Sequence, residues 1–179
     1  MFNLIPPEVK TEMLRLESID AQDRADGTPR LKRLRQIPPE TGKFLALLAA
    51  MAPPGKIVGI GTSAGYSALW IALGARQANR CVHTIEVLKE KTRLAEATFA
   101  RAGFSDSVHL ANTDARNALK EIDDIAFCFL DVEKEIYSDC YDPVVPRMVT
   151  GGIFAADNVI SHRDTLASFL DKTLTDDRL

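Results

Sequence analysis

Polar side chains follow two apolar segments in the second half of the chain. Asp131 comes directly after the continuous apolar run 125–130, and Asp157 with Asn158 follows the shorter run 153–156. If the two runs are neighbouring parallel strands, these residues lie ~5 Å apart. Two carboxylates and an amide oxygen at that separation repel one another unless a cation lies between them, and oxygen ligands suit Mg²⁺, with Ca²⁺ or Mn²⁺ as alternatives. The other interpretation is that Asp157 and Asn158 only cap the next helix.

A glycine-rich stretch, KIVGIGTSAGYS at residues 56–67, predicts a second site. A short apolar run, three glycines and a helix-forming segment together indicate the start of a βαβ unit. The glycines let a ligand approach the backbone, and the unpaired N–H groups of the helix start suit a carboxylate or phosphate. The next predicted strand, 81–86, ends at Glu86, where an acid can accept both hydroxyls of a ribose. We therefore expect an NAD-type dinucleotide or S-adenosylmethionine; the alternative is a tight turn without a ligand.

The elements that must position these residues alternate along the chain. Strand patterns occur at 57–60, 81–86, 108–111, 125–130 and 153–156, and helical patterns at 8–21, 38–51, 64–75, 89–102, 114–122, 137–148 in part, and 165–174. This alternation predicts an α/β fold, a doubly wound parallel sheet with helices on both faces. Ligands of such sheets bind beyond the carboxyl ends of the strands, where Glu86, Asp114, Asp131 and Asp157 are expected.

Length and composition are those of one globular domain: 179 residues, of which 46% are hydrophobic and 26% charged. No apolar run is long enough to span a bilayer, and the N-terminus does not have the pattern of a signal peptide. We expect a cytoplasmic protein that has no membrane partner. Cys81, Cys128 and Cys140 form no CxxC pair and are expected to be reduced, with Cys81 and Cys128 in buried strands.

A basic cluster, RLKRLR at residues 30–35, contrasts with the net charge of −3. The overall charge argues against general binding of nucleic acid. The cluster itself has two interpretations. It is a solvated helix face, or it binds an anionic group such as a phosphate, a coenzyme A tail or an RNA backbone.

Taken together and in this order, the motifs resemble the class I S-adenosylmethionine-dependent O-methyltransferases, in particular the cation-dependent catechol and caffeoyl-CoA type (O-methyltransferase family 3). The resemblance runs from about Arg35 to Leu179. It rests on IGTSAGYS at 60–67, Glu86, TDA at 113–115, D-x-x-K at 131–134 and DN at 157–158. It implies a Rossmann-like methyltransferase domain over 37–179, preceded by an N-terminal helix and basic cap segment over 1–36. It also implies methyl transfer from S-adenosylmethionine to a small hydroxylated acceptor, with a divalent cation. Separately, we expect a homodimer.

The resemblance also implies a role for individual residues. Asp131, Asp157 and Asn158 would be the metal ligands, and Asp131 and Lys134 the catalytic residues. A lysine beside a cation is disfavoured as an ammonium ion, so Lys134 is a candidate general base; the alternative is an ordinary surface lysine. The methyl donor would be bound by Ile37, Gly61, Gly65, Tyr66, Ser67, Glu86, Asp114, Ala115 and Asp131.

Further candidates carry weaker signals. Tyr137 and His162 are near the expected site. We expect Tyr137 to pack in the core and His162 to be an ordinary surface histidine. His83 and His109 lie in predicted strands and are expected to be structural.

Two features depart from the family pattern. Gly59 stands where the family usually has an acid, and the sequence ends at Leu179, where relatives continue into an antiparallel hairpin. Without that hairpin the fifth strand is an open edge, which we expect another subunit to cover unless the sequence is a shortened form.

Other functions stay open on the sequence alone. One is methylation of a hydroxylated tRNA base, with Arg30, Lys32, Arg33 and Arg35 holding phosphates. A second is an NAD-dependent oxidoreductase, and a third is a cofactor-binding protein without catalysis.

Overall fold

The computed structural model describes residues 5–178, which form an α/β fold around one five-stranded sheet. The strand order is β3-β2-β1-β4-β5, and every neighbouring pair is parallel. The predicted doubly wound α/β fold is therefore confirmed. The strands are β1 (Lys56–Ile60), β2 (Val82–Glu86), β3 (Val108–Asn112), β4 (Ile125–Leu130) and β5 (Met148–Ala156).

Helices cover both faces of the sheet. They are α1 (Pro7–Ala25), α2 (Pro39–Met51), α3 (Tyr66–Ala75), α4 (Lys89–Ala102), α5 (Ala115–Ala118), α6 (Tyr137–Val144) and α7 (Ala167–Leu174). Prolines occupy the first turns of α1 and α2, where the N–H that proline lacks would have had no helical partner. Short 3₁₀ segments flank α6 and follow α3 and α5. No helix among the described residues is long and apolar enough to cross a membrane.

Two hydrophobic cores lie on opposite sides of the sheet. Helices α1 to α4 pack against one face, where Leu16, Leu69 and Phe99 are buried. Helices α5 to α7 pack against the other, where Tyr137 and Phe169 are buried. Because both faces are covered, β4 is buried along its whole length, which explains its continuous apolar run.

Several predicted boundaries were wrong. The strand predicted at 153–156 begins at Met148, because Met148 already pairs with Ile125 and a register shift follows before Ile153 pairs with Phe127. The predicted helix 114–122 divides into α5 and a 3₁₀ turn, and the last helix begins at Ala167.

The cysteine prediction was wrong in one respect. Cys81 precedes β2 and is partly exposed, whereas Cys128 and Cys140 are buried; all three are free thiols.

Residues 29–37 connect α1 to α2 and are called the strap below. The strap consists of turns and extended chain, so the interpretation of residues 30–35 as a helix face was wrong. Its backbone is held by side chains from other elements. Asp23 accepts the N–H of Leu34, and Lys91 on α4 donates to the carbonyls of Lys32 (3.0 Å) and Arg33 (2.7 Å).

Candidate active site

A cavity of about 1050 Å³ opens at the carboxyl ends of the strands. A residue at the end of each strand, or within two positions beyond it, lines the cavity: Gly61 after β1, Glu86 at the end of β2, Asp114 after β3, Asp131 after β4 and Asp157 after β5. This is the edge at which a doubly wound sheet binds its ligands. Several residues of the strap also line the cavity.

The glycine turn lies against the end of β4. Gly61 has φ +92°, and a Cβ atom added there would lie 1.9 Å from the carbonyl oxygen of Asp131. Only glycine combines that backbone conformation with so close a contact. The turn after β1 and the residue after β4 are therefore in direct contact, which brings the two sites predicted from the sequence into one cavity.

Glu86 is buried, and backbone groups fix its carboxylate. Oε2 accepts the N–H of Ser63 at 2.8 Å, and Oε1 accepts the N–H of Leu88 at 2.8 Å. Ser63 in turn donates its hydroxyl to the carbonyl of Leu34 in the strap at 2.9 Å. Each carboxylate oxygen keeps a further lone pair, so the fixed group can accept hydrogen bonds from a ligand in the cavity.

The residues predicted to bind the methyl donor occupy three places. Tyr66 and Ser67 line a narrow recess of about 20 Å³ beside the cavity, whereas Gly65 lines neither space and packs against Phe99. Gly59 also lies outside both linings. The predicted residues that line the main cavity are Ile37, Gly61, Glu86, Asp114, Ala115 and Asp131.

Two of these side chains have protein partners. The Tyr66 hydroxyl donates to Glu17 in α1, and burial raises its pKa, so it remains protonated. Asp114 caps α5 by accepting the Arg116 N–H at 2.9 Å. The hydrogen bond from the Arg116 side chain lowers the pKa of Asp114 and keeps it ionised.

The two aspartates predicted as metal ligands follow neighbouring strands. Asp131 N–H donates to Ile60 O, and Asp157 N–H to Leu130 O, each at 2.9 Å, which continues the sheet hydrogen bonding to both residues. Asn158 has φ +59° and donates its side-chain amide to Asp157 Oδ2 at 2.9 Å. Burial, and then the charge of Asp157, raise the pKa of Asp131 to about 6. A raised pKa of this origin indicates negative charge that the protein does not fully neutralise.

Lys134 is the cation nearest to Asp131 in the described part of the chain. Its Nζ lies 3.5 Å from Asp131 Oδ1 and donates to Val132 O (3.1 Å) and to the Tyr137 hydroxyl (2.6 Å). The Tyr137 hydroxyl donates to Asp157 O at 3.1 Å. Burial lowers the pKa of Lys134, and this outweighs the opposite effect of Asp131. Lys134 is thus 8% exposed and held in place, unlike a surface lysine.

Backbone strain is concentrated at this cavity. Of the five non-glycine residues with positive φ in the described range, Arg35, Ser63 and Asn158 line it. Such conformations cost about 1–3 kcal/mol each and cluster at functional sites. This feature could not be predicted from the sequence, because none of the three residue types requires positive φ.

The histidines separate into two groups. His162 lines the cavity and is exposed. His83 and His109 are cross-strand neighbours whose ring centroids lie 5.1 Å apart, outside the cavity lining.

Within residues 5–178, no group of three or more His, Cys, Asp or Glu side chains is placed to hold a metal. The predicted metal ligands, Asp131, Asp157 and Asn158, are two carboxylates and one amide, so they are not a group of that kind.

Comparison with known proteins identifies the family. The O-methyltransferase family model matches residues 21–173. The chain belongs to the O-methyltransferase family. A catechol O-methyltransferase from Mycobacterium tuberculosis is 31% identical over 130 residues, which cover 72% of this chain and 59% of that protein. A catechol O-methyltransferase from Niastella koreensis is 29% identical over 129 residues, 69% of this chain and 58% of that protein. The chain therefore spans less than two thirds of the length of these family members.

Solved structures of the family agree with the fold. The O-methyltransferase from Bacillus cereus, crystallised in complex with SAH, has a TM-score of 0.72 at 26% identity; the match covers 98% of this chain and 76% of that one. The family resemblance predicted from the sequence is confirmed.

Proposed function

We propose that this O-methyltransferase family member transfers a methyl group from S-adenosylmethionine to a hydroxyl oxygen of a small, catechol-like acceptor, assisted by a divalent cation. One observation carries the proposal. Gly61 brings the glycine turn and the fixed Glu86 carboxylate into the same cavity as Asp131, Asp157 and Asn158. The catechol O-methyltransferase relatives and the SAH complex of the Bacillus cereus protein support the same reaction class.

The methyl donor would lie across the glycine turn. Glu86 would accept the ribose hydroxyls, and Asp114 with Ala115 would flank the adenine. The start of α3, at Tyr66 and Ser67, would hold the methionine carboxylate through backbone N–H groups. The linings of the recess beside α3 and of the cavity share Gly61, which supports a ligand that extends from one space to the other. Backbone groups of Ile37 and the loop at Asp131 would contact the methionine end.

Asp131, Asp157 and Asn158 would hold the cation. The donor set fits, because burial and the neighbouring Asp157 already raise the pKa of Asp131 to about 6, and a positive ion would relieve that repulsion. Asn158 would have to turn its amide so that the oxygen, rather than the nitrogen, faces the site. When bound, a divalent ion lowers the pKa of a hydroxyl that it touches and fixes its position. Oxygen ligands suit Mg²⁺, and also Ca²⁺ or Mn²⁺.

Lys134 would remove the acceptor proton. Its pKa is lowered by burial, so more of it is the neutral amine at a given pH, and Tyr137 and Val132 hold Nζ in place. The methyl group would pass from the sulfonium sulfur to the acceptor oxygen, with the C–S bond electrons remaining on sulfur. The hydroxyl proton would pass to Lys134, and SAH would be the second product.

Calorimetric titration with S-adenosylmethionine, followed by methylation of catechol with Mg²⁺ or with a chelator, tests the proposal. Asp157→Asn should retain binding of the methyl donor and lose most turnover. Asp171→Asn, an exposed change of the same kind on α7, should behave as wild type. Full turnover in Asp157→Asn with chelator present would remove the metal role, and absence of donor binding would remove the reaction class.

The homodimer and the tRNA acceptor stay predictions. Sedimentation would test the first. Phosphate contacts weaken steeply with salt, so the salt dependence of substrate binding would test the second.

A further inference from the structure

Two arginines of the strap hold one carboxylate at the mouth of the cavity. Arg30 Nη2 lies 2.9 Å from Glu133 Oε2, and Arg35 Nη2 lies 2.8 Å from Glu133 Oε1. All three residues line the cavity. Glu133 is two residues beyond Asp131, so their Cα atoms are at most about 7 Å apart. The arginine pair therefore lies beside the metal end of the proposed site.

Arg30 and Arg35 have positive charge and N–H groups that Glu133 does not use. Two guanidinium groups share one carboxylate, which leaves one net positive charge. Each arginine contacts Glu133 through Nη2 alone, and neither Nε nor Nη1 has a hydrogen-bond partner among residues 5–178. A guanidinium presents five N–H groups that suit the two oxygens of a carboxylate. A second carboxylate can therefore bind without displacing Glu133.

The position of Arg35 is fixed by the fold. It has φ +51°, a conformation that a side chain other than glycine adopts at a cost. Lys91 holds the carbonyls of the two residues at 32 and 33, and Ser63 holds the carbonyl of Leu34. The strap thus keeps this arginine at the cavity, whereas Arg30, 64% exposed, lies nearer the solvent.

We infer that Arg30 and Arg35 bind a carboxylate group of the methyl acceptor, so that the acceptor is an acidic catechol rather than a neutral or cationic one. This inference rests on the proposed function. Glu133 shows the chemistry that the pair accepts, since it is itself a carboxylate held by both groups. An acceptor whose hydroxyls face Asp131 and Asp157 would direct a carboxylate across its ring toward the strap.

The test compares protocatechuate, a catechol with a carboxylate, with its neutral primary amide. Equilibrium binding is measured by calorimetry with SAH and Mg²⁺ present, and kcat/KM by product formation. We expect wild type to prefer the acid in both measurements. Arg35→Gln should reduce that preference about tenfold, as expected for one charge-assisted hydrogen bond, and Arg30→Gln about threefold. Lys32→Gln is the matched control, because it removes the same charge from the strap at a side chain outside the cavity lining.

Each outcome decides between alternatives. Equal binding of acid and amide by wild type, or an unchanged preference in the double Arg30→Gln, Arg35→Gln variant, would overturn the inference. So would tight, salt-sensitive binding of tRNA that Lys32→Gln weakens as much as Arg35→Gln does. If the acid binds preferentially through the arginines but neither compound is methylated, the carboxylate site stands and the proposed reaction fails.

Discussion

Glu86 illustrates how one side chain joins structure to the proposed function. Its two oxygens accept backbone N–H groups from two loops, one in the glycine turn and one before α4. The carboxylate thus holds two loops together, and Glu86 also lines the cavity. A charged acceptor in a buried place suits a ligand with two hydroxyl groups.

We expect Glu86→Gln to weaken S-adenosylmethionine binding by about 1–3 kcal/mol, because a charge-assisted hydrogen bond becomes a neutral one. Calorimetry measures the change, with thermal unfolding to confirm that the turn is intact. Glu90→Gln, an exposed change in the first turn of α4, serves as the control. An unchanged affinity for the methyl donor would show that Glu86 does not bind the ribose.

Glu12 has a purely structural role at the same scale. It is 3% exposed on α1 and receives hydrogen bonds from Arg15, Arg101 and Thr98. Burial alone would raise its pKa, but the hydrogen bonds from both arginines prevail and lower it to about 2. A lowered pKa in the folded state means that Glu12 contributes stability above its ordinary pKa of 4.5 and loses it as pH falls toward 2.

Glu12→Gln should therefore reduce the free energy of unfolding at neutral pH by about 2 kcal/mol, discounted for the solvent exposure of the two arginines. The difference from wild type should shrink as the pH falls below 4.5, the ordinary pKa of the group. Urea unfolding across this pH range measures it, beside Glu96→Gln, an exposed change on α4. A difference that does not depend on pH would mean that packing, and not charge, connects α1 to α4.

At the scale of elements, the contact between the glycine turn and the end of β4 is the one that the site depends on most. Gly61→Ala should lower the free energy of unfolding by about 3 kcal/mol or more, because the new Cβ would overlap the Asp131 carbonyl, 1.9 Å away. Gly103→Ala is a matched control, since Gly103 also has positive φ (+69°) but nothing within 4 Å. Its cost should be about 1 kcal/mol. Equal costs in chemical denaturation would show that the backbone conformation, not the close contact, matters.

Much of the element order could be predicted from the sequence, because most elements carry their own local pattern. The continuous apolar run of β4 and the helix ended by Gly103 are examples. The start of β5 could not be predicted, because a Gly-Gly pair usually indicates a turn. Here Gly151 and Gly152 lie inside the strand, where pairing with β4 determines the register.

Part of the candidate site could also be predicted from the sequence, and part could not. Glu86, Asp131 and Asp157 could be placed from the rule that strand ends meet at one edge of the sheet. The contacts that hold the strap could not be predicted from the sequence. Lys91 donates to carbonyls 59 and 58 residues away in sequence, and no local periodicity reports such a contact.

At the scale of the whole molecule, the strap connects parts that are distant in the chain. It joins α1 to α2, receives Lys91 from α4 and Ser63 from the glycine turn, and brings Arg35 to Glu133 after β4. Side chains from α4, the glycine turn and the loop after β4 thus all contact the strap. Its order should depend on every one of these contacts.

Lys91→Met should loosen the strap while the sheet stays folded, because the apolar chain fills the same space but donates no hydrogen bond. Trypsin should then cut sooner after the basic residues of 30–35, and amide exchange there should accelerate. Lys89→Met, an exposed change at the start of α4, is the control. Equal cleavage rates in both variants would show that the strap does not need the buried ammonium group.

The outer edge of β5 has a consequence for handling the protein. Met148–Ala156 is nine residues long, contains no charged side chain and pairs only with β4 among the described residues. Lysine, proline, short length and β-bulges are the usual protections against strand addition, and of these β5 has only the register shift between Met148 and Ile153. Concentrated solutions of a polypeptide that spans residues 1–179 should therefore aggregate by adding strands at this edge before the opposite, shorter edge at β3 takes part. Thr150→Lys should reduce this aggregation, because Thr150 is exposed on β5 and lies outside the cavity lining.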